Sequence, residues 1–139
     1  MYLIDTNVIG EARKGRNANP GVTDFFRDAA ATGVSLYLSA ITVGELRRGV
    51  ELIGHRGDAD QARRLEIWLD QVLAAYGSAV LPLDADAAQV WGRLRAPNPR
   101  HELHKQIAAI ALVNDLTVVT RNTADFAGTG ARLLDPFRS

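Results

Sequence analysis

Asp5, Glu45 and Asp125 are the residues of this 139-residue chain best placed to do chemistry together. Asp5 ends a short apolar run, Tyr2 to Ile4, and is followed by Thr6 and Asn7, so a carboxylate, a hydroxyl and an amide stand side by side. All three residue types cap helices. A carboxylate at the carboxyl end of a parallel strand also lies where open α/β sheets bind ligands. Glu45, in LSAITVGELRRGVE, stands near the start of a helical pattern whose Ile41, Val43, Leu46 and Val50 are apolar. There it can offset the helix dipole or pair with Arg47 or Arg48, or it can serve a site. Asp125, in TRNTADF, reads by itself as a turn or cap residue. Gathered into one crevice, the three carboxylates would repel one another unless a cation neutralised them. A hard divalent ion binds such oxygens, leaves positions for phosphate, and can activate a water against a phosphodiester.

A sheet with strands running the same way would bring these groups to one edge. Strand-like runs occur at Tyr2 to Ile4, Ser35 to Leu38, Ala79 to Leu81, Thr117 to Thr120 and Arg132 to Leu134. Helical periodicity fills the spaces: Pro20 to Ala31, Ile41 to Ile53 with Ser39 or Thr42 as its cap, Ala59 to Tyr76, Asp84 to Leu94 and Leu103 to Val113. Pro97 and Pro99 stop the fourth of these. Strands alternating with helices predict a three-layer α/β sandwich, its mostly parallel sheet flanked by helices on both faces, in a single domain over residues 1–139. If the first and fourth strands are neighbours, Arg121, Asn122 and Asp125 face Asp5 across one crevice.

Composition narrows the function classes. Sixteen basic residues balance sixteen acidic ones, so a polyanionic partner would have to meet a local basic patch. The absence of cysteine excludes disulfides, thiolate catalysis and cysteine-type zinc sites, and fits a reducing cytoplasm. Asp5 and Asn7 interrupt the first apolar run too early for a signal peptide, and no run reaches the roughly 20 residues of a membrane span.

Taken together, LIDTNVIGE, LSAITVGELRRGVE and IAAIALVNDLTVVTRNTADF resemble the PIN-domain nucleases, and more narrowly the toxin subunits of VapBC-type toxin–antitoxin pairs. The three blocks fall in family order, and the likeness runs nearly end to end, through LLDPF. The resemblance implies a PIN-like sandwich and a Mg²⁺- or Mn²⁺-dependent endoribonuclease. It also implies a small VapB-like antitoxin whose tail covers the site, and a homodimer or higher homo-oligomer. By matching position, Asp5 and Glu45 correspond to the first two metal-binding acids and Thr6 and Asn7 to the polar pair beside them. Thr120 is a further supporting polar group, and Asn122 and Asp125 lie in the block that completes the site.

The chain departs from the family at one position. Where the family has an Asp three residues before IAA, this sequence has His104, and Glu102 lies on another side of any helical turn. Imidazole suits Mn²⁺, Zn²⁺ or Ni²⁺ better than Mg²⁺. His104 is therefore a working ligand, the mark of a naturally weakened site, or an introduced replacement that disables a toxic nuclease; a polar residue at a helix start is the ordinary alternative. Among the basic residues, Arg121 and Lys105 are the first candidates for RNA phosphates, in a set with Arg47, Arg48, Arg93, Arg95, Arg100 and His101. Trp68 and Trp91 read as core. Three functions compete: the toxin-type endoribonuclease, a PIN-fold module that binds antitoxin or RNA without turnover, and a phosphatase-like hydrolase with Asp5 as nucleophile. For the last, position 7 is Asn where a second acid belongs.

Overall fold

A computed structural model describes residues 1–138. Five strands form one sheet: β1 (Tyr2–Ile4), β2 (Leu36–Ser39), β3 (Val80–Leu81), β4 (Thr117–Val119) and β5 (Leu133–Leu134). Their order is β3-β2-β1-β4-β5, and every pairing is parallel. Six helices connect them: α1 (Thr6–Ala12), α2 (Pro20–Thr32), α3 (Ala40–His55), α4 (Ala59–Tyr76), α5 (Ala85–Arg95) and α6 (Glu102–Val113).

The strands are apolar on both faces because both faces are covered. Leu3 and Val118, with Tyr37, Leu81 and Leu133, turn towards a core filled by Ala87 of α5 and by Ile107 to Ala111 of α6. Their neighbours Ile4, Leu38 and Val119, with Tyr2, Leu36 and Val80, turn the other way. That second core holds Val8 and Ile9 of α1, Val22 of α2 and Val72 of α4. The strand period of two thus deals alternate residues to two separate cores. Trp91 packs against the first and Trp68 against the second, each partly buried.

Local chemistry starts and stops the helices. Asn19, Ser39, Asp58 and Asp84 each accept a backbone N–H of the helix that follows. Gly33 ends α2 at φ 71°, a conformation glycine adopts without a steric penalty. Gly21 has a packing role, since a Cβ there would collide with the carbonyl oxygen of Pro136, so the C-terminal segment lies directly on α2. Glu11 joins α1 to the start of α2. Its carboxylate accepts from the Lys14 ammonium and the Asn19 N–H, and these hold its pKa below the ordinary carboxylate value. No helix among the described residues is long and apolar enough to cross a membrane.

From β1 the chain moves outward through β2 to β3, then returns to the far side of β1 for β4 and β5. The direction of winding reverses between β1 and β4. Loops leaving adjacent strands diverge at such a point and open a crevice at their carboxyl ends.

Candidate active site

Asp5 stands at that switch point, one residue beyond the Ile4–Val119 pair, with its N–H donated to the Val119 carbonyl at 2.9 Å. It is 2% exposed, and both carboxylate oxygens are held. Oδ1 accepts the Thr6 N–H at 2.8 Å; Oδ2 accepts the Thr120 hydroxyl at 2.7 Å and the Asn7 amide at 3.3 Å. A buried carboxylate needs such donors in place of the water it has lost. Asp5 thus begins α1 and is also oriented from β4.

Thr6 carries the connection onward. Its hydroxyl donates to Oε1 of Glu45 at 2.9 Å and lies 3.3 Å from the Thr42 hydroxyl, itself 3.2 Å from that of Ser39. Ser39 is the cap of α3, accepting the Thr42 N–H at 3.0 Å, so Glu45 is fixed by the same turn that starts its helix. Asn7 works in the opposite direction, its Oδ1 accepting the Arg121 N–H at 3.0 Å. Thr120 accepts the Asn122 N–H at 3.0 Å. Asp5, Thr6, Asn7, Glu45, Thr120, Arg121 and Asn122 therefore form one hydrogen-bonded constellation drawn from β1, α1, α3 and the turn after β4.

Three further expected residues make contacts of their own. His104 and Asp125 face each other, with Nε2 and Oδ2 3.8 Å apart, and the imidazole meets the buried Phe126 ring edge-on at 5.1 Å between centroids. His101 completes this group, its Nδ1 3.8 Å from Oδ1 of Asp125. Lys105 is buried, and its ammonium donates to the Asn98 carbonyl, away from solvent. Of the remaining cations, Arg95 is paired with Glu102 and Arg47 with Glu66, whereas Arg121 is exposed and stacks over Phe137 at 4.8 Å. His101 as a partner of Asp125 was missed from sequence. Its spacing to His104 puts both on one side of a helical turn, but Asp125 comes from the turn after β4.

The PIN-domain family profile matches residues 2–131. The chain belongs to the PIN-domain family. It is 37% identical to the plasmid stability protein StbB of Pseudomonas syringae pv. tomato over the full length of both. It is 35% identical to the VapC ribonuclease Y4jK of Sinorhizobium fredii, covering 99% of this chain and 98% of that one. The crystal structure of FitAcB from Neisseria gonorrhoeae matches at a TM-score of 0.86 and 31% identity, with full coverage of both chains.

PIN-domain nucleases generally use divalent metal ions. The carboxylates of Asp5 and Glu45 fit a hard cation. Their fixed oxygens keep lone pairs free, and Oε2 of Glu45 has no hydrogen bond among the described residues. His104 offers a nitrogen, which a hard cation accepts less readily than a carboxylate oxygen.

Proposed function

We propose that this PIN domain is a cytoplasmic, toxin-type endoribonuclease that hydrolyses RNA phosphodiester bonds and is neutralised by a small cognate antitoxin. The observation that carries the reading is the link from buried Asp5 through the Thr6 hydroxyl to Glu45, at the switch point of a parallel sheet. Asp5 and Glu45 would hold Mg²⁺ or Mn²⁺, which when bound supplies an activated water and charge neutralisation at the phosphodiester. Thr120 and Asn7 hold the Asp5 carboxylate in a fixed orientation. Thr6 fixes one oxygen of Glu45 and leaves Oε2 to hold the ion or take a proton. Arg121, its backbone tied to Asn7 and its side chain stacked on Phe137, is poised at the crevice to hold an RNA phosphate.

The antitoxin reading rests on the relatives and on a groove. Structures similar to this chain include VapBC complexes from Rickettsia felis and Salmonella typhimurium bound to DNA, alike in fold. On this chain a groove of about 380 Å³ runs from Thr6 and Glu45 along Leu46, Ile53, Leu65 and Trp68, with Arg13 and Arg56 at its margin. An amphipathic helix ending in an extended tail fits such a surface, its apolar side in the groove and its tail over the carboxylates. Exposed Leu103, with Ile41 beside Glu45, offers a separate apolar face to a second copy.

A second reading, a module that binds antitoxin without turnover, is favoured by His104 alone. Cleavage of a labelled structured RNA in Mg²⁺ and in Mn²⁺ separates the two. On the nuclease reading Asp5→Ala is inert, and His104→Asp cuts and binds Mg²⁺ more tightly in calorimetry. A native chain that cuts as well as His104→Asp makes the histidine a working part of the site. If His104→Asp is as inert as Asp5→Ala, the non-catalytic module is correct.

A further inference from the structure

His101, His104 and Asp125 form a cluster that makes no hydrogen bond to Asp5 or Glu45 among the described residues. One ligand atom from each lies within 4.8 Å of the other two. The Asp125 carboxylate is shared, one oxygen 3.8 Å from Nδ1 of His101 and the other 3.8 Å from Nε2 of His104. Tetrahedral zinc, with bonds of roughly 2.0–2.1 Å, sets its ligand atoms about 3.3 Å apart. Separations of up to 4.8 Å would therefore have to close by as much as about 1.5 Å, within reach of side-chain rotation, for the group to hold an ion.

The surroundings suit such an ion. Neither imidazole makes a hydrogen bond among the described residues, so the nitrogens are available. His104 is held by its edge-on contact with Phe126. His101 stands at the head of α6 with φ 57°, left-handed for a residue with a Cβ, and its side chain makes no capping bond there. That backbone instead sets its ring 5.9 Å from the His104 ring. The side chains of His101, His104 and Asp125 are 48%, 26% and 35% exposed, leaving one side open to an incoming ion and its remaining water.

We infer that His101, His104 and Asp125 bind a borderline divalent cation of the Zn²⁺ class, through two imidazole nitrogens and one carboxylate oxygen. Nitrogen ligands exclude Mg²⁺ as the preferred ion of this group. The inference shares His104 and Asp125 with the nuclease reading but does not rest on it, because it needs neither Asp5 nor Glu45.

The test is calorimetric titration of the untagged full chain with ZnCl₂ and separately with MgCl₂, with Co²⁺ absorption as a second readout of nitrogen ligation. One Zn²⁺ per chain is expected. His101→Asn, whose side chain tolerates a left-handed backbone, should weaken it by more than about tenfold. Asp5→Asn and His55→Ala should leave it unchanged, and circular dichroism confirms that each variant is folded. The inference is overturned if the native chain binds no Zn²⁺, or if His101→Asn binds as the native chain does. It is equally overturned if Asp5→Asn abolishes binding, which would put the ion in the carboxylate crevice, or if His55→Ala does.

Discussion

At the scale of single residues, Thr120 makes Asp5 usable. Its hydroxyl gives the shortest hydrogen bond to that carboxylate, and its oxygen accepts the Asn122 N–H that begins the following turn. The first contact is buried and the second partly so, and removing the hydroxyl leaves a buried carboxylate oxygen short of a donor and an amide without its acceptor. Thr120→Val should therefore cost about 1–3 kcal/mol of stability, read as a lower urea midpoint, and reduce RNA cleavage. Thr120→Ser should restore most of both, because the donor returns. A Val variant as stable and active as the native chain, with the loss confined to Ser, would mean that the methyl group, and not the hydroxyl, is what this position needs. His104 belongs to the same scale. An imidazole cannot take over an Asp position silently, because it changes the class of ion that the position prefers.

At the scale of elements, the position of Gly21 in the first turn of α2 fixes the sign of a substitution. An exposed helical glycine replaced by alanine normally gains roughly 0.5–1 kcal/mol, since alanine loses less backbone entropy. Gly92 in α5 is exposed with open space at its Cβ, so Gly92→Ala should raise the melting temperature. At Gly21 the same change drives a methyl into the Pro136 carbonyl, and the segment after β5 must move. Gly21→Ala should lower the melting temperature although α2 gains propensity. Differential scanning calorimetry of the two variants decides it, and a rise in both would mean that the C-terminal segment yields freely.

At the scale of the whole molecule, the groove beside α3 and α4 tests the partner reading. Ile53 is partly buried and lines it, without belonging to either core. Ile53→Asp should weaken the cognate antitoxin by at least about tenfold in a pull-down titration while RNA cleavage survives, since a desolvated carboxylate opposes an apolar helix face. Unchanged antitoxin affinity would move the partner to another surface. What the sequence by itself determined is local. Short apolar runs and 3.6-residue periodicities marked five strands and five of the six helices to within one or two residues, and the resemblance to PIN-domain blocks singled out Asp5, Glu45 and Thr6. The α1 helix, seven residues long, was legible only through the capping residues at its start. The tertiary structure alone decided how these parts meet. Asp5 and Thr120 are 115 residues apart and touch because β4 returns to the side of β1. His101 turns from a basic surface residue into a neighbour of Asp125 because α6 packs beside the turn after β4, and Lys105 leaves the expected RNA surface for the interior. Periodicity fixes which face of an element is buried. Strand order and register fix which distant side chains share a crevice, and no short-range pattern encodes them.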